Sequence, residues 1–286
     1  MVGILASMLD GVLVGAVYGL AAIGLTLIWG VMDVINLTHG AMIALGMFGL
    51  YLLFDQTGIM PYAALVPVAA GGFVVGLVIY WSAVHRMIGR PHLMSLLATF
   101  SVNMVLIGLG TIAWSTSPYN INYSVPGVSL DNYTFTGNHL LAAVAAVLIA
   151  GGLYLYLHHT RGGKAIRAVA SNKRAAELMG IPSSKVLARA FGLGIALAAV
   201  SGALIATLFP FTVLSGGSYE LKSFVVTVLG GLGNPAGALM GGILLGLIEG
   251  GLTPFIAVSW IPVIEFGLFV LILIAFPSGL FAKSNR

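Results

Sequence analysis

Apolar runs about as long as a bilayer is thick make up most of this chain. A helix needs about 20 predominantly apolar residues to cross the hydrocarbon core, and several stretches approach that length with one charge or none. Charged residues are 7% of the 286, whereas soluble domains carry about 25%. A transmembrane β-barrel would instead show alternating segments of about ten residues. The sequence therefore predicts an all-α polytopic membrane protein, organised as one transmembrane domain over residues 1–286.

The runs predict about eight transmembrane helices, or up to about ten if short segments also cross. We place them near residues 8–29, 41–54, 62–83, 93–114, 139–157, 186–209, 238–256 and 260–276. A short segment at 219–232 carries Glu220 and Lys222, then only about ten apolar residues, roughly half a span. Pro277, Lys283 and Arg286 predict a cytoplasmic C-terminus. The N-terminus is then inside with about eight crossings and outside with about nine.

Two predicted spans carry glycines spaced four apart, which share one face of a helix. These are Gly11, Gly15 and Gly19 in the first span and Gly242, Gly246 and Gly250 near the end of the chain. The spacing is typical of membrane helices that pack closely, although glycine is also simply more frequent in membrane helices than in soluble ones.

Polar residues interrupt the apolar pattern at two places. The first interruption holds four polar residues and a glycine, namely Asp33, Asn36, Thr38, His39 and Gly40. The second is GGLGNPAG at 230–237, which contains Asn234 and Gly237. A charge at bilayer depth costs about 2.5–3.5 kcal/mol on insertion scales. Each interruption is therefore either a loop at the membrane surface or a broken helix that lines a polar cavity. Glu220, Glu249 and Glu265 are too scattered along the chain to argue for a proton relay.

Half of the Lys and Arg residues lie in the segment 160–186. They are Arg161, Lys164, Arg167, Lys173, Arg174 and Lys185. A basic segment between spans is typical of a cytoplasmic loop. Good helix formers dominate it, and Gly180 followed by Pro182 is a helix stop. The segment either only orients the spans or offers a short helix to a soluble partner.

Several kinds of chemistry lack a motif in this sequence. There is no G-x-x-x-x-G-K-[ST] loop for ATP, no H-E-x-x-H and no G-x-S-x-G, and cysteine is absent. We therefore expect no catalytic residues, no cofactor and no metal site. No soluble basic domain is present, so nucleic acid is not an expected partner, whereas the lipid bilayer is.

Three stretches together resemble one family. They are GLTLIWGVMDVINLTHGAMIALG at 24–46, TRGGKAIRAVASNKRAAELMGI at 160–181 and VVTVLGGLGNPAGALMGGILLGLIEG at 225–250. They are similar to the permease subunits of branched-chain amino-acid ABC importers, the LivH type. The resemblance implies a multi-pass protein of the inner membrane that works by alternating access. It also implies separate ATP-binding subunits, a second permease subunit in a heterodimer and a periplasmic solute-binding protein. Related permeases carry urea, short amides or other amino acids.

The resemblance assigns a role to the basic segment, and the two interruptions of the apolar pattern suggest where the path of the solute lies. It makes 160–186 a cytoplasmic coupling-helix loop, in which Ala175-Ala176-x-x-x-Gly180 matches the family's EAA…G pattern and Arg174 replaces the usual Glu. The expected ATPase-coupling residues are Arg167, Arg174, Ala175, Ala176, Glu177 and Gly180. The expected substrate-path residues are Asn36, Thr38, His39 and Asn234, with half-helix ends at Gly40 and Gly237. Two other classes of function remain open, an ATP-independent secondary transporter or channel, and a membrane scaffold.

Overall fold

Eleven α-helices build the part of the chain that the computed structural model describes, which is residues 2–130, 133–275 and 279–281. The helices are α1 (Val2–Met32), α2 (His39–Thr57), α3 (Pro61–Ile79), α4 (His92–Trp114), α5 (Gly137–His159), α6 (Arg161–Ser171), α7 (Lys173–Leu178), α8 (Ser183–Ala206), α9 (Ser215–Gly230), α10 (Pro235–Leu252) and α11 (Ile261–Ala275). The only strands among these residues are β1 (Val128–Leu130) and β2 (Tyr133–Phe135), a short antiparallel hairpin between α4 and α5. The predicted all-α architecture is confirmed.

Seven of the helices in the described residues are long and apolar enough to cross a membrane. They are α1 to α5, α8 and α10, with α3 continued to Met87 by a π-helical turn and a 3₁₀ turn. The shorter α11 is also apolar. The segment predicted at 219–232 is α9, which begins at Ser215 and ends at Gly230. The residues on which the predicted cytoplasmic C-terminus depends, Pro277, Lys283 and Arg286, lie outside the described residues.

The helix α8 lies at the centre of the bundle, and its glycines allow close contact with neighbouring helices. Nearly all of its residues from Val186 onward are buried. Gly194 packs against the backbone of α1 at Gly24, and Gly202 packs against the backbone of α2 at Ile43. Small residues let helices approach closely, which is the main source of packing between helices in lipid.

The two glycine stripes pack against each other. Gly11 faces Gly246 and Gly250, while Gly15 faces Gly242 and Gly246, so α1 and α10 run antiparallel. A Cβ on Gly15 would lie 2.5 Å from the Gly242 carbonyl oxygen. The Ser7 hydroxyl extends the contact by donating to the Gly250 carbonyl at 2.7 Å. The sequence therefore predicted the close packing of each stripe, and the structure supplies the partner.

We expect Gly246→Ala to destabilise the fold by about 1–3 kcal/mol, because the added methyl group overlaps backbone atoms of Gly11 and Gly15. The measurement is the melting temperature of the purified protein in detergent. Gly251→Ala is the matched control, since a Cβ there meets only the flexible side chain of Met8 at 3.6 Å. Equal melting temperatures for the two variants would contradict the close contact of α1 with α10.

Candidate transport path and basic helices

The chain leaves α1 at the protein surface and turns back into the interior before α2 begins. Asp33, directly after α1, has a φ of 55° and a side chain that is 66% exposed, 3.7 Å from the ring of His92. Three residues later Asn36 is fully buried, and α2 begins at His39. The first interruption thus combines both predicted alternatives, with a surface charge at Asp33 and a buried polar stretch behind it.

We call residues 35–40 the α1–α2 turn. Asn36 Oδ1 accepts hydrogen bonds from the Thr38 backbone N–H at 3.2 Å and from the Thr38 hydroxyl at 2.5 Å. This arrangement is an Asx turn, which stabilises the chain reversal locally. Thr99 of α4 is hydrogen-bonded to the backbone of the turn. Its hydroxyl donates to the Ile35 carbonyl at 3.1 Å and accepts from Leu37 N–H at 3.2 Å. The polar residues here are therefore fixed in place.

Glu220 of α9 lies against the first turn of α2. A Cβ on Gly40 would be 2.7 Å from Glu220 Oε2 and 2.8 Å from the Gly216 carbonyl oxygen. Only glycine therefore allows α9 to approach the start of α2 this closely. Next to Gly40, the His39 ring places Nε2 3.0 Å from the Ala21 carbonyl, so Nε2 carries the proton and Nδ1 is left as an acceptor.

Three buried polar atoms around the α1–α2 turn have no hydrogen-bond partner among the described residues. They are Asn36 Nδ2, His39 Nδ1 and Glu220 Oε1. Leaving a buried polar atom unpaired costs about 1–3 kcal/mol and more when the group is charged. Buried polar atoms in folded proteins are seldom left without a hydrogen-bond partner. Because several of them lie at this turn, it is the strongest candidate for a polar contact with a solute.

The second predicted interruption separates α9 from α10 and lies partly at the surface. Gly231 and Gly233 have φ values of 84° and 80°, which end α9 sharply. Asn234 Nδ2 donates to the Phe281 carbonyl at 2.9 Å in an exposed position, while Gly237 is buried against Gly230. Gly233 also touches Gly30 near the end of α1, so the two interruptions adjoin there. The part of the chain that the structure describes shows no hydrogen bond between Asn234 and the polar residues of the α1–α2 turn.

Charged residues far apart in sequence form a cluster between α9, α10 and α11. Lys222 Nζ lies 2.8 Å from Glu249 Oε2 and 3.1 Å from Glu265 Oε1, and 4.7 Å from the centre of the Tyr18 ring. We call these four residues the Lys222 cluster. The two ion pairs span 27 and 43 residues, so spacing along the chain does not reveal them. Glu220 is not part of this cluster, and whether the acidic groups relay protons stays untested.

The basic segment forms two short helices instead of one. Thr160 caps α6 by accepting a hydrogen bond from Gly163 N–H at 3.0 Å, and Asn172 caps α7 by accepting from Ala175 N–H at 2.9 Å. Gly163, Ile166 and Val169 bury one face of α6 against the bundle. Gly180 then takes a φ of 80°, which ends the segment as predicted.

The expected coupling residues lie mostly at the surface of these helices. The exposed members are Arg167, Arg174, Ala175, Glu177 and Gly180, and the buried member is Ala176. Leu178 and Met179, which no sequence motif singled out, are 86% and 82% exposed. They lie next to each other at the end of α7, beside the exposed basic residues of the segment.

We expect Lys222→Met to lower the stability of the fold strongly, because it leaves Glu249 and Glu265 unpaired and close together. Removing one partner of a buried ion pair typically costs about 3–5 kcal/mol. The measurement is the melting temperature in detergent, with Lys185→Met as the control because Lys185 is exposed. An unchanged melting temperature for Lys222→Met would show that the Lys222 cluster does not hold α11 to the bundle.

Known proteins similar to this chain are membrane permeases. A family model described as "Branched-chain amino acid transport system / permease component" matches residues 7–275. The high-affinity branched-chain amino acid transport system permease protein LivH of Escherichia coli K12 is 27% identical over 297 residues, covering 98% of this chain and 96% of the relative.

Two further relatives match over shorter parts of the chain. A probable branched-chain amino acid transport permease protein LivH of Methanocaldococcus jannaschii is 30% identical over 252 residues, covering 83% of this chain and 78% of the relative. The ribose import permease protein RbsC of Escherichia coli K12 is 29% identical over 202 residues, covering 66% of this chain and 59% of the relative. The match over nearly the whole chain, together with seven apolar helices, shows that this multi-pass membrane protein belongs to the branched-chain amino acid transport system permease family.

Proposed function

We propose that this chain is the transmembrane permease subunit of an ATP-driven importer for branched-chain or other hydrophobic amino acids. The observation that carries the proposal is the similarity to LivH along 98% of the chain. The subunit lies in the inner membrane and moves its solute by alternating access. ATP is hydrolysed on separate subunits, and a periplasmic solute-binding protein delivers the solute to the outer face.

The helices α6 and α7 are the proposed contact with an ATP-binding subunit. Leu178 and Met179 project from the end of α7, where they suit an apolar groove on the partner. Arg167 and Arg174 supply a basic rim. Because α6 is packed on the bundle through Ile166 and Val169, a movement of the docked subunit reaches the spans directly.

The α1–α2 turn is the proposed polar part of the path. A free amino acid is a zwitterion, so its path must offer polar groups to its charged ends and an apolar wall to its side chain. Asn36, Thr38 and His39 supply polar groups beside Gly40 at the start of α2. Asn234 and Gly237 contribute from the second break once the Asn234 bond to Phe281 opens.

A second permease subunit completes the path in the proposed assembly. The apolar face of α4 is mostly exposed, with Leu97, Phe100 and Met104 among its uncovered side chains. This face meets lipid or the second subunit. The solute class has alternatives within the same family, namely other amino acids, urea or short amides, and one relative is a ribose import permease.

We expect Met179→Asp to remove the ATP-binding subunits from the purified assembly. An aspartate at the projecting position would be buried without a cation in the proposed interface, which weakens binding by about tenfold or more. The measurement is the amount of ATP-binding subunit that co-purifies from native membranes, followed by ATP-dependent leucine uptake in liposomes.

Met60→Asp is the matched control, because Met60 is 66% exposed in the turn before α3 and lies outside the basic segment. It should retain both the ATP-binding subunits and uptake. Equal retention in the two variants would contradict docking through α7. Leucine transport by the isolated chain without ATP would contradict the importer proposal and indicate a secondary transporter.

A further inference from the structure

Glu220 is a buried acidic residue without a cation beside it. Glu220 is 8% exposed, and its Oε1 atom has no hydrogen-bond partner among the described residues. Within the described residues, no Lys, Arg or His side-chain nitrogen lies within 4.0 Å of its carboxylate, whereas Glu249 and Glu265 share Lys222. An ionisable group inside a membrane protein is expensive to keep and usually serves a function.

The other unpaired atoms at the α1–α2 turn complement this carboxylate. His39 Nδ1 is a second acceptor without a donor, and Asn36 Nδ2 is a donor without an acceptor. Gly40 is in the first turn of α2, and its backbone N–H donates to the Glu220 carboxylate. Two unpaired acceptors and one unpaired donor therefore lie around one chain reversal.

An α-amino acid carries the complementary groups. Its ammonium group has three N–H donors and its carboxylate has only acceptors. We propose that Glu220 receives the α-ammonium group of the solute, while Asn36 Nδ2 donates to its carboxylate. This site rests on the proposed function and deepens it, because it names the group that recognises an amino acid as such.

A purely structural role explains the residue type poorly. A glutamine would fill the same space against Gly40 and would avoid the cost of a buried negative charge. The Gly40 N–H donates to this carboxylate, and an arriving ammonium group supplies the positive charge that it lacks. Neutral solutes such as urea or a sugar bring no cation, and the site discriminates against them.

The test uses the complete importer in liposomes, with its ATP-binding subunits, second permease subunit and loaded solute-binding protein. We expect Glu220→Gln to lower radiolabelled leucine uptake by about tenfold or more, the loss typical of a charge-assisted hydrogen bond. ATP hydrolysis stimulated by the solute-binding protein and the melting temperature should stay close to wild type. Asp55→Asn is the matched control, since Asp55 is an exposed carboxylate at the other end of α2.

A second measurement does not depend on uptake. The measurement is the direct binding of radiolabelled 3-methylbutylamine to the purified assembly. This amine has the ammonium group and side chain of leucine without its carboxylate. We expect binding to wild type and to Asp55→Asn, and a loss of about tenfold or more in Glu220→Gln.

The outcomes separate the two proposals. Leucine uptake and amine binding by Glu220→Gln equal to those of Asp55→Asn overturn the ammonium site alone. A joint loss of uptake, stimulated ATP hydrolysis and thermal stability makes Glu220 a structural residue and also overturns it. A wild-type assembly that imports no leucine overturns the proposed function, and amine binding that depends on Glu220 would still support a cation site at this turn.

Discussion

Direct contact between the backbones of α1 and α10 is the interaction on which this membrane domain depends. Lipid tails are as apolar as leucine, so helices in a bilayer gain little from hiding apolar side chains and associate mainly through close packing. The glycines at 11, 15, 242 and 246 provide that packing. The contact joins the first helix to a helix near the end of the chain. The helix α1 also contacts α9, through the hydrogen bond of Thr26 to Thr227 and the position of Tyr18 beside Lys222.

The charged groups of this fold lie in three different environments. Asp33 lies at the surface, where water stabilises it. Lys222 neutralises two carboxylates at once inside the bundle. Glu220 has no cation within 4.0 Å among the described residues, and it lies beside a turn with two further unpaired polar atoms. This contrast is the basis of our proposal that Glu220 serves the solute.

The sequence predicted those features that depend on local pattern. Span positions follow from hydropathy, and both interruptions follow from glycine, proline and polar residues within a few positions. The partners of these features depend on contacts across more than 200 residues, such as that of Thr26 with Thr227, which spacing does not encode. The Lys222 cluster was missed for the same reason. Leu178 and Met179 were not predicted, because two apolar residues do not stand out in a chain that is 59% hydrophobic. Their position beside Gly180 in the basic segment was nevertheless a usable signal.

The absence of cysteine from the chain permits a direct test of the central claim, that α7 docks on an ATP-binding subunit. A single cysteine introduced by Leu178→Cys is the only thiol in the chain and projects into the surrounding solution. The measurement is cross-linking in native membranes with a short thiol-to-amine reagent, followed by identification of the linked protein. We predict a single cross-linked product that contains a P-loop ATPase. This product should be absent when Met60→Cys is used in place of Leu178→Cys. A Leu178→Cys chain that cross-links to no ATPase while the assembly still imports leucine would contradict docking through α7.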